Sequence, residues 1–252
     1  MKFTYESYTE LLNSLICHGY QFSGYRDWQK AEKSVILRHD VDMCLDKAVQ
    51  MSALEKEIFG GGAVYFVLLS SDFYNIHSKS SRQRMQKIIQ NGGTIGLHFD
   101  EVQYDAVDEE ELKALIVKEL STLSEAAETK VDVVSMHRPS KKILSSDIEI
   151  PEVINSYSTL YFRQMKYLSD SRRRWREDAY AVIESETPHI HLLTHPFWYT
   201  DGAEKSLSRT LKEAVLGASL RYYDTLRDNF TDLEAELART EIEELIGRAL
   251  EN

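Results

Sequence analysis

Short apolar segments alternate with amphipathic segments along most of the chain, and this alternation is the feature that most constrains the fold. The apolar segments have the length of buried strands, and the segments between them carry apolar residues at helical spacing. Strands are predicted at 34–38, 63–69, 94–97, 131–136 and 189–194. Such alternation is typical of parallel βαβ units, and 252 residues is a common length for a single α/β barrel.

The remaining segments complete the predicted organisation. Helices are predicted at 7–18, 45–59, 80–91 and 108–127, and the three glycines at 60–62 are expected to end the second of them. Two further segments, 157–162 and 180–183, are predicted as strands, and the charged residues from 203 onward as two or three helices. We therefore expect one domain over residues 1–252, with the barrel core at about 34–200 and a C-terminal helical extension at 203–252.

Composition excludes several classes of protein. The formal charge of −11 would repel a phosphate backbone, which disfavours nucleic-acid binding. Cys17 and Cys44 are the only cysteines, and two cysteines make no disulfide framework. The first residues form no apolar signal segment, and no apolar run approaches the roughly 20 residues that span a bilayer. We therefore expect a cytoplasmic protein without a transmembrane segment.

Polar residues follow one predicted strand after another. These candidates for chemistry are Asp40 and Asp42 in HDVD, His98 and Asp100, His137 and Arg138, and His195. In parallel barrels the carboxyl ends of the strands meet at one mouth, so side chains far apart in sequence are expected to lie together there.

The two aspartates of HDVD have a structural and a chemical interpretation. Asp42 has the position of a cap for the helix that begins near Leu45. In strand geometry, however, Asp40 and Asp42 share one face while His39 points to the other. Two adjacent carboxylates repel each other unless a cation or a shared proton intervenes, which favours a metal ion with one aspartate as ligand and the other as base.

Other interpretations remain open at this point. Cys44 lies near histidines and is conceivable as a nucleophile, although that role leaves both aspartates unexplained. A pair of carboxylates also suits a glycosidase, which gives no role to His98 or His195. The arginine-rich segment 172–176 is either a solvated turn or a site for a phosphate or an acidic sugar.

The order of these motifs resembles the polysaccharide deacetylase superfamily (carbohydrate esterase family 4 and its relatives), in particular the branch whose first motif is HDVD. The resemblance covers roughly residues 34–200. It implies an α/β fold, a distorted (β/α)7 barrel of the polysaccharide deacetylase type, here with additional C-terminal helices. It also implies a metal-dependent hydrolase that removes an N-acyl group, usually N-acetyl, from a sugar or sugar precursor in surface-polysaccharide metabolism.

The resemblance also implies roles for individual residues. These are Asp40 as base, Asp42 and His98 as metal ligands, Arg138 as the arginine that orients the base, Asp170 as partner of the acid, and His195 as general acid. Trp175, Trp198 and Arg174 are the expected substrate-binding residues. The expected cofactor is a divalent metal ion, zinc foremost, with cobalt, manganese or nickel as alternatives.

One departure from the family pattern concerns the metal. The family's second motif is usually H-x-x-x-H, but the residue four positions after His98 is Val102. The third ligand is then His137, which we favour, or Asp100. The departure also motivates an alternative function, an inactive deacetylase-like barrel that binds a glycan or a partner protein. The expected partners are an N-acylated sugar, a nucleotide sugar or a lipid-linked glycan, with a homo-oligomer conceivable through the C-terminal helices.

Overall fold

The structure is a computed structural model that describes residues 1–105 and 108–251. The chain divides into two compact units, Met1–Gly202 and Ala203–Asn252. The first unit contains the sheet and the helices that cover it. The second unit is helical. No helix in the described residues is both long enough and apolar enough to cross a membrane.

The sheet of the first unit is parallel throughout. Its strands are β1 (Gln21–Phe22), β2 (Ser34–Val41), β3 (Val64–Val67), β4 (Thr94–Asp100), β5 (Val133–His137), β6 (Ile154–Asn155), β7 (Lys166–Ser169) and β8 (His189–Thr194). Seven of them follow the order β6-β5-β4-β3-β2-β8-β7, while β1 pairs with the first residues of β2. The predicted fold class is confirmed, because this parallel sheet curves into an open, distorted (β/α)7 barrel.

Helices connect the strands of the first unit and form the second. The first unit contains α1 (Tyr5–Cys17), α2 (Leu45–Phe59), α3 (Lys79–Gln90), α4 (Glu109–Ala127), α5 (Lys141–Ser145), α6 (Thr159–Gln164) and α7 (Ala179–Glu184). The second contains α8 (Leu207–Arg227), α9 (Leu233–Glu236) and α10 (Arg239–Glu251). The prediction of two or three C-terminal helices is therefore confirmed.

Two predicted strands are wrong. Residues 157–162 and 180–183 lie largely in the short helices α6 and α7. The side chain of Asp178 accepts a hydrogen bond from the backbone N of Tyr180 and so caps α7, which a reading of apolar residues alone overlooks. The strand between these helices is β7, whose four residues are too few to show a pattern.

Strand β2 is buried on both faces and divides the core in two. Val35, Leu37 and Val41 point outward into the main apolar core beneath the helices. Ile36 points inward, into a smaller cluster enclosed by the sheet. All eight residues of β2 are buried, so the charged side chains on this strand have no access to bulk water.

The glycines after α2 end that helix as predicted. Gly60 adopts a left-handed conformation with φ of 88°, and Gly61 follows with φ of 91°. A Cβ on Gly61 would lie 2.6 Å from the carbonyl oxygen of Asn91 and 2.9 Å from Cα of Gly92. Only glycine lets these two backbone segments approach so closely.

Replacement of Gly61 by alanine should destabilise the first unit. The left-handed conformation alone costs about 1–2 kcal/mol for an L-residue, and the contact with backbone atoms adds to this cost. We expect Gly61→Ala to lower the free energy of unfolding by at least about 2 kcal/mol in urea titrations followed by circular dichroism. Gly24→Ala is the matched control, since a Cβ there meets nothing within 4 Å. Equal stability of the two variants would contradict the proposed packing.

Candidate metal and acid–base site

Arg38 and Asp40 form a buried ion pair on the inner face of the sheet. Nη2 of Arg38 donates to both carboxylate oxygens of Asp40, at 2.7 and 2.8 Å. The same guanidinium donates to the hydroxyls of Ser135 on β5 and Ser156 beyond β6, and it lies over the ring of Phe66. Arg38 is 0% exposed, so its charge is tolerated because Asp40 balances it and two hydroxyls accept further hydrogen bonds from its Nη atoms.

Arg138, the arginine expected to orient Asp40, lies elsewhere. Its Nη2 donates to Oδ2 of Asp100 at 2.6 Å, and its side chain is 60% exposed. Its backbone has a φ of 50°, which breaks the alternation of β5 immediately after His137. The expectation for Arg138 is therefore corrected, because the structure places Arg38 against Asp40.

Asp42, His98 and His137 bring together three potential metal ligands. Nε2 of His98 lies 3.3 Å from Oδ1 of Asp42. Nδ1 of His137 lies 3.6 Å from the same oxygen and 3.1 Å from Nε2 of His98. Nδ1 of His98 faces the backbone oxygen of Ser135 at 3.3 Å, which orients the ring and directs Nε2 toward the cluster. One ligand atom from each of the three residues lies within 4.8 Å of the others.

The carboxylate of Asp42 faces these histidines and does not cap α2. The N-cap residue of α2 is Cys44, which makes no side-chain capping bond. Oδ1 of Asp42 is buried and accepts no hydrogen bond within the described part of the chain. Such an oxygen is stable when a cation or a protonated imidazole faces it.

Asp100, the other candidate for third ligand, is engaged differently. Its Oδ2 accepts hydrogen bonds from Arg138 and from Gln103, the latter at 3.3 Å. Val102 is 67% exposed on the 3₁₀ turn after β4 and offers no ligand atom. His137 lies in the cluster of potential ligands with Asp42 and His98, whereas Asp100 does not. Its role as third ligand stays a prediction.

His195 and Asp170 pair beside the ligand cluster, and their predicted catalytic roles stay a prediction. Nδ1 of His195 lies 2.6 Å from Oδ1 of Asp170, and its backbone N donates to Oδ2 at 3.1 Å. The hydroxyl of Tyr199 donates to the same Oδ2 at 3.1 Å. Nε2 of His195 lies 4.0 Å from Oδ2 of Asp42. Asp170 thus fixes the ring and turns Nε2 toward the ligand cluster.

Asp40 and His195 carry opposite charges at neutral pH. Burial would raise the pKa of Asp40, but Arg38 and, to a lesser extent, His98 and His195 lower it to about 2. Burial would lower the pKa of His195, but Asp170 outweighs it and raises the pKa to about 9. At neutral pH the site therefore holds an ionised carboxylate and a protonated imidazole. Burial and the nearby His98 lower the pKa of His137, which keeps that imidazole neutral.

His39 points to the outer face, as strand geometry predicted. Its Nδ1 lies 2.7 Å from the hydroxyl of Thr194 on β8, and its Nε2 lies 2.7 Å from Oε1 of Glu55 on α2. Glu55 also accepts hydrogen bonds from Tyr8 and Tyr65, at 2.6 and 2.5 Å. This buried network ties β2 to β8 and to α2 behind the site.

The residues expected to bind substrate lie at the same edge of the sheet. Arg174 and Trp175 follow β7, and Trp198 lies in the 3₁₀ turn after His195. Both indole side chains are half-buried against the main core. The Nε1 atom of each indole is buried and has no hydrogen-bond partner among the described residues. Arg174 is exposed. Contact of these side chains with a substrate stays a prediction.

Cys44 gains no support as a nucleophile. Its thiol is free and half-buried at the start of α2. Within the described residues no hydrogen bond joins this thiol to an imidazole, so the base that a cysteine nucleophile requires is missing.

Several residues of the site were not singled out from the sequence. They are Arg38, Glu55, Ser135, Ser156 and Tyr199. Arg38 had a readable signal, because it is a charge inside an apolar strand and stands two positions before Asp40, on the same face. The sequence signal for Glu55 was weaker, because it is only a carboxylate on a helix face that is otherwise apolar. The two serines and the tyrosine are identified only by the three-dimensional contacts.

Comparison with known proteins gives matches only among solved structures. No protein-family model matches the sequence, and no curated protein matches it. A family 4 carbohydrate esterase from Bacillus anthracis is 17% identical, with 86% of each chain covered and a TM-score of 0.43. The peptidoglycan deacetylase PdaC from Bacillus subtilis is 13% identical, with 83% of this chain and 97% of that chain covered and a TM-score of 0.42.

A third similar structure is a pseudoenzyme of the same esterase family, from Bacillus anthracis. It is 14% identical, with 81% of this chain and 65% of that chain covered and a TM-score of 0.43. At these identities and TM-scores the similarities say nothing of activity, so the proposed function rests on the site itself.

Loss of the buried Arg38 should destabilise the protein more than loss of an arginine in an exposed ion pair. Arg38→Met leaves the carboxylate of Asp40 buried without its counter-ion, and we expect a loss of about 3–5 kcal/mol in the free energy of unfolding. Arg26→Met is the control, because Arg26 is 58% exposed in its pair with Asp132 and should cost at most about 1 kcal/mol. Urea denaturation monitored by circular dichroism measures both. Similar losses in the two variants would show that Arg38 is not the counter-ion on which the inner face depends.

Proposed function

We propose that this chain is a metal-dependent hydrolase that removes an N-acyl group, most readily N-acetyl, from a sugar or sugar precursor. One observation carries the proposal: an ionised carboxylate and a protonated imidazole flank a cluster of three potential metal ligands. Oδ2 of Asp40 lies 3.6 Å from Nε2 of His98 in this cluster. Nε2 of His195 lies 4.0 Å from Oδ2 of Asp42, another member of the cluster. Amide hydrolysis needs a base for water, an acid for the leaving amine and stabilisation of an oxyanion.

The cluster fits a divalent cation. One carboxylate oxygen and two imidazole nitrogens suit zinc, and three protein ligands are typical of a catalytic site that keeps a position for water or substrate. The unpartnered Oδ1 of Asp42 supports the same interpretation. Zinc is our proposal for the metal, and cobalt, manganese or nickel would use the same donors. The chemistry that such a cation supplies is acidification of a water molecule and stabilisation of negative charge on the acyl oxygen.

Asp40 is the proposed base. Arg38 holds its carboxylate ionised at physiological pH and fixes its orientation through both oxygens. A carboxylate with a pKa of about 2 accepts a proton only from a water far more acidic than bulk water. The base is therefore useful only beside a cation, and the ligand cluster lies directly next to it.

His195 is the proposed acid. The Asp170 carboxylate faces Nδ1 of His195, so the transferable proton lies on Nε2, which points toward the ligand cluster. A pKa of about 9 keeps this imidazole protonated at neutral pH, as an acid for a departing amine requires. In this scheme Asp40 accepts the proton of the attacking water, and His195 donates one to the amine when the C–N bond breaks.

The same charges argue against a glycosidase. A glycosidase needs one carboxylic acid that is protonated at neutral pH, with a raised pKa. Here the pKa of Asp40 is lowered by Arg38, and Asp42 faces two imidazoles. Asp40 is therefore not held in the protonated form, whereas His98, His137 and His195 all have a role in amide hydrolysis.

Metal binding tests the ligand assignment. We expect His137→Ala and Asp42→Asn to lower zinc affinity by more than about 100-fold, beyond the 10–100-fold typical of a residue that only supports a ligand. Asp100→Asn should retain zinc affinity within about threefold, because its carboxylate pairs with Arg138. Titration calorimetry with zinc and elemental analysis of the purified protein measure this. Loss of zinc in Asp100→Asn but not in His137→Ala would exchange the two assignments.

Acetate release tests the roles of the base and of the two arginines. We expect Asp40→Asn to lower the turnover of an N-acetylated sugar by about 10²–10⁴-fold while zinc stays bound. Arg138→Met should stay within about threefold of the unaltered chain, since Arg138 does not contact Asp40. An enzymatic acetate assay over free, nucleotide-linked and polymeric N-acetylated sugars provides the measurement. A zinc-bound chain that releases no acetate from any of them would support the inactive, glycan-binding alternative.

A further inference from the structure

The turn that follows β7 concentrates positive charge in a negatively charged chain. It carries Arg172, Arg173, Arg174 and Arg176, whereas the whole chain has a formal charge of −11. Arg172, Arg174 and Arg176 are exposed. Among the residues that the structure describes, none of these three guanidiniums has a carboxylate partner. Their charge is therefore available to a ligand.

The carboxylates nearest in sequence are already engaged. Asp170 holds His195 through both oxygens. Glu177 pairs with Lys166 at 2.6 Å, and the side chain of Asp178 caps α7. The turn thus keeps a net positive charge even though acidic residues stand on both sides of it.

The conformation of the turn is held at both ends. The backbone N of Arg174 donates to the carbonyl oxygen of Asp170 at 3.2 Å, and Trp175 packs against the main core. Between these points Arg172 and Arg173 adopt left-handed conformations, with φ of 59° and 55°. A non-glycine residue pays about 1–2 kcal/mol for such a conformation, and strain of this kind concentrates at ligand-binding segments.

The turn is also joined directly to the proposed acid. Asp170, whose side chain holds His195, accepts through its backbone oxygen the hydrogen bond that closes the turn. Arg172 stands two positions after Asp170, and Arg174 stands four positions after it. The two arginines therefore follow the carboxyl end of β7, on the same turn as the residue that holds the proposed acid.

We propose that Arg172 and Arg174 form an anion subsite for a phosphate or diphosphate ester carried by the N-acylated sugar. This inference rests on the proposed function, since it names the substrate class of the same site. The planar fork of arginine suits phosphate oxygens, and two exposed guanidiniums match the charge of a diphosphate. In a 2-acylamino sugar the anomeric oxygen and the amide nitrogen are on adjacent carbons, so a phosphate on the former lies near a reacting amide.

The rest of the chain gives this subsite selectivity. Because the net charge is strongly negative, the chain repels phosphate groups from most of its surface and attracts them only where cations cluster. A free neutral sugar gains nothing from the arginines. The subsite thus favours an activated precursor, either nucleotide-linked or lipid-linked, over a neutral polymer.

Binding of diphosphates to the full zinc-loaded chain tests the subsite without any need for turnover. Binding is measured by titration calorimetry with four probes. Inorganic pyrophosphate represents the diphosphate group that both kinds of precursor share, UDP represents a nucleotide-linked precursor, and geranyl diphosphate represents a lipid-linked one. N-acetylglucosamine is the neutral probe. We expect Arg172→Ala/Arg174→Ala to weaken diphosphate binding at least tenfold and to reduce its salt dependence, with no change for the neutral sugar. Arg172→Lys/Arg174→Lys should recover part of the affinity.

Arg163→Ala is the control, because Arg163 is equally exposed but lies at the end of α6, before β7 begins. Unchanged diphosphate affinity in the double alanine variant, or an equal loss in Arg163→Ala, overturns the inference. Pyrophosphate binding that depends on Arg172 and Arg174 supports the subsite even if no acetate is released, in which case the hydrolase proposal fails alone. Tighter binding of UDP than of geranyl diphosphate assigns the nucleotide source, and the reverse order assigns the lipid source.

Discussion

The ion pair between Arg38 and Asp40 places a full positive and a full negative charge inside a parallel sheet, and much of the surrounding structure accommodates it. Burial of either charge alone would cost several kcal/mol. The guanidinium is compensated by a carboxylate on its own strand, by hydroxyls from Ser135 and Ser156, and by the face of Phe66. The arrangement also keeps the carboxylate of Asp40 ionised, because Arg38 outweighs the effect of burial and lowers its pKa to about 2.

The position of Asp40 and His195 relative to each other follows from the register of two strands. His39 pairs with Thr194 in the ladder between β2 and β8, and their side chains also meet on the outer face at 2.7 Å. The residues that follow them on the two strands are Asp40 and His195. A shift of one residue would turn Asp40 outward and His39 inward, so the buried contacts of His39 with Thr194 and Glu55 oppose that shift. His39 thus holds the strand that carries Asp40 from the outer face of the sheet, without facing the candidate site.

The sequence predicted the architecture, and it singled out most of the residues that lie together in the candidate site, because both depend on the alternation of strands and helices. Strands β2, β4, β5 and β8 are apolar and end in polar residues, so Asp40, Asp42, His98, His137 and His195 could be brought to one edge by topology alone. Arg38 was not predicted as a site residue because it lies inside the apolar run, before the end of the strand, where a buried charge is unusual. Helices α6 and α7 were mistaken for strands because they are too short for a 3.6-residue period to appear.

The two departures from the family motifs have one structural explanation. A parallel sheet offers several neighbouring strand ends at the same edge, so an atom required there need not come from a fixed position in one motif. The register between β4 and β5 places Asp100 beside His137, which brings an imidazole from the adjacent strand next to His98. The orienting arginine follows the same rule, since position 38 lies on the same face of β2 as position 40. Arg138 does not contact Asp40 and pairs instead with Oδ2 of Asp100.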